Sequence, residues 1–91
     1  MLWSARLHRD GRVLECPTLH ISAGGARIRI SQRFEINSTV VLVIDRVGAF
    51  PGEIRWQRGN YVGIRFMEDA QIVEERLRTA ISDPADAVLA L

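Results

Sequence analysis

The chain has 91 residues, enough for one small domain with a modest core. Its net charge of +1 supplies no strong field for a nucleic-acid polymer or a membrane surface, and no stretch reaches the ~18 apolar residues of a membrane span. Cys16 is the single cysteine, which excludes an internal disulfide and predicts a reducing, cytoplasmic setting.

Residues 1–9 read as a first strand, with Ser4, Arg6 and His8 alternating against Trp3, Ala5 and Leu7. The polar residues in this opening predict no signal peptide. Asp10-Gly11 is a hairpin signal, and residues 12–22 return as a second strand. Pro17 within it demands an edge position or a bulge, because its nitrogen cannot donate to a ladder. Ala23-Gly24-Gly25 breaks the alternation, and adjacent glycines permit positive φ at little steric cost. Residues 26–30 resume it, with Ala26, Ile28 and Ile30 on one face and Arg27 and Arg29 on the other. Residues 31–37 form a polar connection from which Phe34 and Ile36 are expected to plug the core.

Residues 40–44 are β-branched and apolar on both parities, so this strand is expected to be covered on both sides. One side would be the barrel interior. The other would meet the C-terminal helix, a partner chain or a second copy in a homodimer. Gly48 turns the chain. A fifth strand spans residues 50–58, where parity places Trp56 with Ile54 in the core. Gly59-Asn60 is another tight-turn dipeptide, and residues 61–67 close the set with Val62, Ile64 and Phe66 inward. Short strands separated by turn dipeptides imply a closed barrel, which leaves no exposed edges. The period then changes. Ile72, Val73, Leu77, Ala80 and Ile81 form one helical stripe, with Asp69 as N-cap. Pro84 opposes continuation, so residues 1–82 are expected to be the domain and 83–91 a tail or an extra helical turn.

The chemistry-bearing residues are sparse. His8, Cys16 and His20 lack compact ligand spacing, which predicts no metal site. Ser22 and Cys16 sit in no nucleophile elbow, and no paired carboxylates converge, so no enzyme is expected. Every basic side chain among the twelve is arginine, a planar fork that suits phosphate and guanine. Arg27, Arg29, Arg55 and Arg65 occupy the non-core parity of their strands and could share one outer surface. Solvated cross-strand pairing with Glu53 is the plain alternative for each.

The segment His20-Ile21-Ser22-Ala23-Gly24-Gly25-Ala26-Arg27-Ile28 resembles the second signature of the PilZ family, (D/N)xSxxG. Ser22 and Gly25 match it, and His20 stands where the family has Asp or Asn. The resemblance runs over about residues 12–77 and includes Gly52-Glu53-Ile54-Arg55-Trp56 and Tyr61-Val62-Gly63-Ile64-Arg65-Phe66. It implies an all-β fold, a small six-stranded antiparallel β-barrel with a C-terminal α-helix, and a place in bacterial cyclic di-GMP signalling. The family grips phosphate with an RxxxR motif placed before (D/N)xSxxG. No RxxxR precedes His20 here; Arg6, Arg9 and Arg12 are spaced by three. The expected function is therefore a regulatory module with weak or no ligand binding of its own, acting through contact with a regulatory protein partner. A functional cyclic di-GMP receptor is the first alternative. Its ligand would be met by Arg9, Arg12, His20, Ser22, Gly25 and Arg27. A small-barrel RNA binder is the second, opposed by the near-neutral charge and the few exposed aromatic platforms. No cofactor is expected, cyclic di-GMP being the one candidate ligand, and neither a nucleic-acid polymer nor a membrane is expected as partner.

Overall fold

The computed structural model describes residues 3–81. Six strands and one helix follow in order: β1 (Trp3–Arg9), β2 (Arg12–Ile21), β3 (Gly25–Arg29), β4 (Thr39–Ile44), β5 (Gly48–Arg58), β6 (Tyr61–Phe66) and α1 (Ala70–Ile81). The strands close into an antiparallel barrel ordered β1-β2-β3-β6-β5-β4, with β4 returning to β1. The small all-β barrel with a C-terminal helix that the alternation predicts is the fold observed. Residues 83–91 and the first two residues of the expected β1 lie outside the described residues, as does the side chain of Ile81.

Turn chemistry sets the connections. Asp10 and Gly11 both take positive φ, 49° and 77°, the geometry that matches a two-residue hairpin to strand twist. Gly59 does the same between β5 and β6 at 59°. Pro17 pairs with Ser4 in the β1–β2 ladder but precedes Thr18, where pairing with β3 begins. It therefore sits where β2 has a strand on one side alone, and no ladder bond to β3 is lost.

Inward parity builds one core. Leu7, Ile28, Leu42, Phe50, Ile54 and Val62 are fully buried, and Ile30, Ile64 and Phe66 nearly so. Phe50 and Phe66 stack with ring centroids 5.0 Å apart. Val73 of α1 joins this cluster, and Leu77 packs against it half-buried. Asp69 caps the helix: its carboxylate accepts from Gln71 N at 2.8 Å, and its carbonyl accepts from Ile72 N and Val73 N. Arg76 fastens the helix to the start of β5. Its guanidinium donates to Ala49 O at 3.1 Å, pairs with Glu68 at 3.0 Å and lies over the Phe50 ring.

Four sequence expectations are corrected. Ile36 is exposed, because the 31–37 connection is held by polar bonds from Gln57 to Phe34 N and Gln32 O, and Phe34 alone turns inward. Ile72 is exposed one position before the buried Val73, so the helix presents a narrower apolar stripe than the periodicity suggests. Gly24 and Gly25 do not take positive φ, and close packing accounts for Gly25. Trp56 is 43% exposed, outside the core, for a reason given below. On β4, Val40, Leu42 and Ile44 fill the barrel while Val41 and Val43 face outward, half-buried, opposite Pro51 and Ala49 of β5.

One core atom is out of keeping. Thr18 is fully buried, and its Oγ1 has no hydrogen-bond partner. An unsatisfied buried hydroxyl costs about 1–3 kcal/mol. Replacing it with a methyl group of similar shape, Thr18→Val, should raise stability by roughly 1 kcal/mol in urea unfolding. An equal loss would mean that the hydroxyl is bonded in solution.

Candidate functional site

The outer face of β2, β3, β6 and β5 carries the chemistry, and two β-bulges shape it. Pairing jumps from Ile54↔Ile64 to Trp56↔Gly63, leaving Arg55 as an extra residue in β5. It jumps likewise from Thr18↔Ile28 to His20↔Arg27, leaving Leu19 as an extra residue in β2. A bulge shifts side-chain parity by one, so residues beyond it change faces. Trp56 consequently turns outward although Ile54 turns in. Both bulges flank the same row of the sheet, in which His20, Arg27, Gly63 and Trp56 stand side by side across four strands.

Gly63 makes this row work. A Cβ there would collide with the Trp56 indole at Nε1, so the ring lies directly on the bare backbone of β6. The next row toward Ser22 holds Gly25, Arg65 and Glu53. The next row the other way holds Arg29, Tyr61 and Arg58. An open cleft of about 850 Å3 runs between Leu19, Arg27, Trp56, Arg58 and Tyr61. A shallower hollow of about 320 Å3 adjoins it, lined by His20, Ser22, Gly25, Arg55 and Arg65, and shares Arg27 and Trp56 with it.

The Ser22–Gly25 corner is a tight reversal. Ser22 N donates to Gly25 O at 2.9 Å and Gly25 N to Ser22 O at 3.3 Å. Gly24 O accepts from Phe66 N at 2.9 Å, tying the corner to the end of β6. A Cβ on Gly25 would strike the Ile64 carbonyl, whereas one on Gly24 would meet nothing within 4 Å. The signature glycine is thus needed for backbone-to-backbone approach of β3 and β6.

Residues 2–83 match the family profile of the PilZ domain. The chain belongs to the PilZ domain family. No curated protein matches it. As a PilZ domain it is a binding and regulatory module of cyclic di-GMP signalling. No helix among the described residues is long and apolar enough to cross a membrane, and no group of three His, Cys, Asp or Glu among them could share a metal ion.

His20, Ser22 and Gly25, at the three fixed positions of the PilZ signature, and Arg27, two residues beyond it, are brought together around the smaller hollow. Arg9 and Arg12 are not. They sit at the β1–β2 hairpin, at the opposite end of β2, separated from Ser22 by about 30 Å of strand. Arg9 is occupied there: its guanidinium lies 5.5 Å over the Phe34 ring and 3.5 Å from the Asp10 carboxylate. Arg27, Arg29, Arg55 and Arg65 share the outer face as their parity predicts, and Arg55 reaches Asn37 Oδ1 at 3.4 Å. Among the described residues Arg65 makes no salt bridge with Glu53, although the two are register partners. Sequence reasoning missed Trp56, Leu19, Arg58 and Tyr61 as parts of this surface. The available signal was Gly63, since a glycine inside a strand marks close approach by another group.

Cys16 belongs to the barrel interior, away from both histidines, which lie on the outer faces of β1 and β2. Burial pushes its thiol from 9.0 up to about 11.

Two outcomes test this geometry. Gly25→Ala should lower stability by roughly 1–3 kcal/mol through overpacking while Gly24→Ala stays near neutral, as read by chemical denaturation. At pH 8 the thiolate fraction of Cys16 should be about a hundred-fold below that of an unperturbed thiol. Alkylation of the native protein should accordingly be slow and become fast on unfolding.

Proposed function

We propose that this chain is a regulatory module of cyclic di-GMP signalling that binds the dinucleotide weakly or not at all and acts through contact with a partner protein. The observation that supports this most is the position of Arg9 and Arg12. They are the arginines closest before the signature, and they lie at the far end of β2, with Arg9 engaged by Phe34 and Asp10. The family's RxxxR supplies two guanidinium groups over the phosphates, and among the described residues nothing equivalent stands beside Ser22 from this side. Hydrogen bonds to charged groups contribute roughly 1.5–3 kcal/mol each, so the loss of two such residues weakens binding by several powers of ten.

His20 adds to the deficit. A carboxylate or amide at this position accepts from a guanine edge, whereas a neutral imidazole offers one acceptor and loses it on protonation. The Ser22 hydroxyl faces the Gly25 carbonyl of its own turn at 3.5 Å.

Arg27, Arg55 and Arg65 ring the same hollow and favour the receptor reading, so titration calorimetry decides. The chain at physiological salt should give a dissociation constant weaker than micromolar for cyclic di-GMP. A micromolar or tighter constant that disappears in Ser22→Ala or Arg27→Ala would overturn the proposal and make the chain a receptor in its own right.

A further inference from the structure

The larger cleft is not part of the Ser22–Gly25 corner, and its composition differs from the rest of the surface. Trp56 and Tyr61 are 43% and 46% exposed, and the half-buried Leu19 of β2 lines the same cleft from the other side of β3. Arginines border them. Off this face, Arg6, Arg9, Arg76 and Arg78 each pair with a carboxylate, while Arg12 and Arg33 stand singly without one among the described residues. On it, Arg27, Arg29, Arg58 and Arg65 form no salt bridge among the described residues. Glu53 is the one acid in the three rows, at their margin. Two exposed aromatic rings amid unpaired arginines combine an apolar seat with uncompensated positive charge, the composition of an interface centre.

We infer that this face docks an acidic segment of a partner protein, with an apolar side chain of that segment seated between Trp56 and Tyr61. The inference rests on the reading above that the chain works through protein contact. Charge complementarity identifies the occupant. Arg27 and Arg29 stand two residues apart on β3, about 6.6 Å, which is also the spacing of alternate side chains in an extended peptide. Carboxylates at such positions meet both guanidinium forks at once, and bidentate pairing fixes their register. A short acidic segment fits better than a nucleic acid. The net charge is only +1, so acids elsewhere cancel the field of this face at a distance, and a long polyanion gains little beyond the face itself.

The test pans a displayed library of random linear peptides against the intact chain and measures the selected peptides by fluorescence anisotropy. Enrichment should favour acidic residues at alternate positions around a leucine, phenylalanine or similar anchor. Affinity for such peptides should fall about tenfold or more in Trp56→Ala and in the double variant Arg27→Glu/Arg58→Glu, and should weaken with added salt. Circular dichroism confirms that each variant is folded, and Arg58 serves as the fold-safe probe because it is exposed beside the β5–β6 turn. No enrichment for acids, or binding unchanged in both variants, overturns the inference. So does single-stranded RNA that binds the chain and is lost in the same variants. Failure of the underlying reading looks different: cyclic di-GMP itself binds at micromolar or tighter concentration. If it does not bind and selected peptides instead depend on Val41 and Val43 of β4, protein contact stands and this face is refuted.

Discussion

A tryptophan indole resting on bare backbone is the contact on which the outer face of this barrel depends. Gly63 leaves room for the Trp56 ring against β6, and the extra residue at Arg55 turns that ring outward. Without the bulge, Trp56 would follow Ile54 into an interior already filled by Leu42, Phe50 and Val62. The interior has no space for it, since cores are packed near crystal density and resist added volume. The bulge therefore answers two demands together. It keeps the core at its volume and places a large aromatic surface beside Arg27.

The second bulge, at Leu19, flanks the same row from the other side. Bulges strengthen local twist and re-aim side chains, and they recur beside functional sites for that reason. Here they frame the β3–β6 pair, where Gly25 lets the backbone of β3 approach Ile64 and Gly63 lets the Trp56 ring approach β6. The PilZ signature glycine and the glycine under Trp56 are thus neighbours in one construction. Ser22 and Gly25 belong to the corner, and His20 opens the row that leads to Trp56.

Charge is distributed unevenly over a nearly neutral molecule. Helix α1 holds its two arginines, Arg76 and Arg78, in pairs with Glu68 and Glu74, and the Arg76 pair also anchors the helix to Ala49 and Phe50. Exposed pairs of this sort contribute modestly, about 0–1 kcal/mol each, so their importance for Arg76 lies as much in packing as in charge. The sheet face has arginines without such partners. What distinguishes this face is that its arginines without carboxylate partners stand together beside Trp56 and Tyr61, a clustering invisible in a net charge of +1.

Much of this protein was determined by its sequence alone. Alternation in β3 and β6 identified the inward residues, because a period of two admits one core face once a turn is in place. Asp10-Gly11 and Gly59-Asn60 marked their hairpins through the local cost of positive φ. Asp69 and the apolar spacing that follows marked the helix. The short signature around Ser22 pointed to the family and to one side of its site. Tertiary structure alone decided the rest. Parity counting fails across a bulge, and a bulge exists only in relation to a partner strand, so nothing local to residues 54–56 or 18–20 reveals that Trp56 and His20 stand in one row. The expected strand over residues 12–22 already sets Arg12 and Ser22 at opposite ends, whereas the engagement of Arg9 by Phe34, a residue distant in sequence, came only with the closed fold. The need for glycine at position 25 came from the carbonyl of Ile64, a residue distant in sequence and adjacent only when the barrel closes.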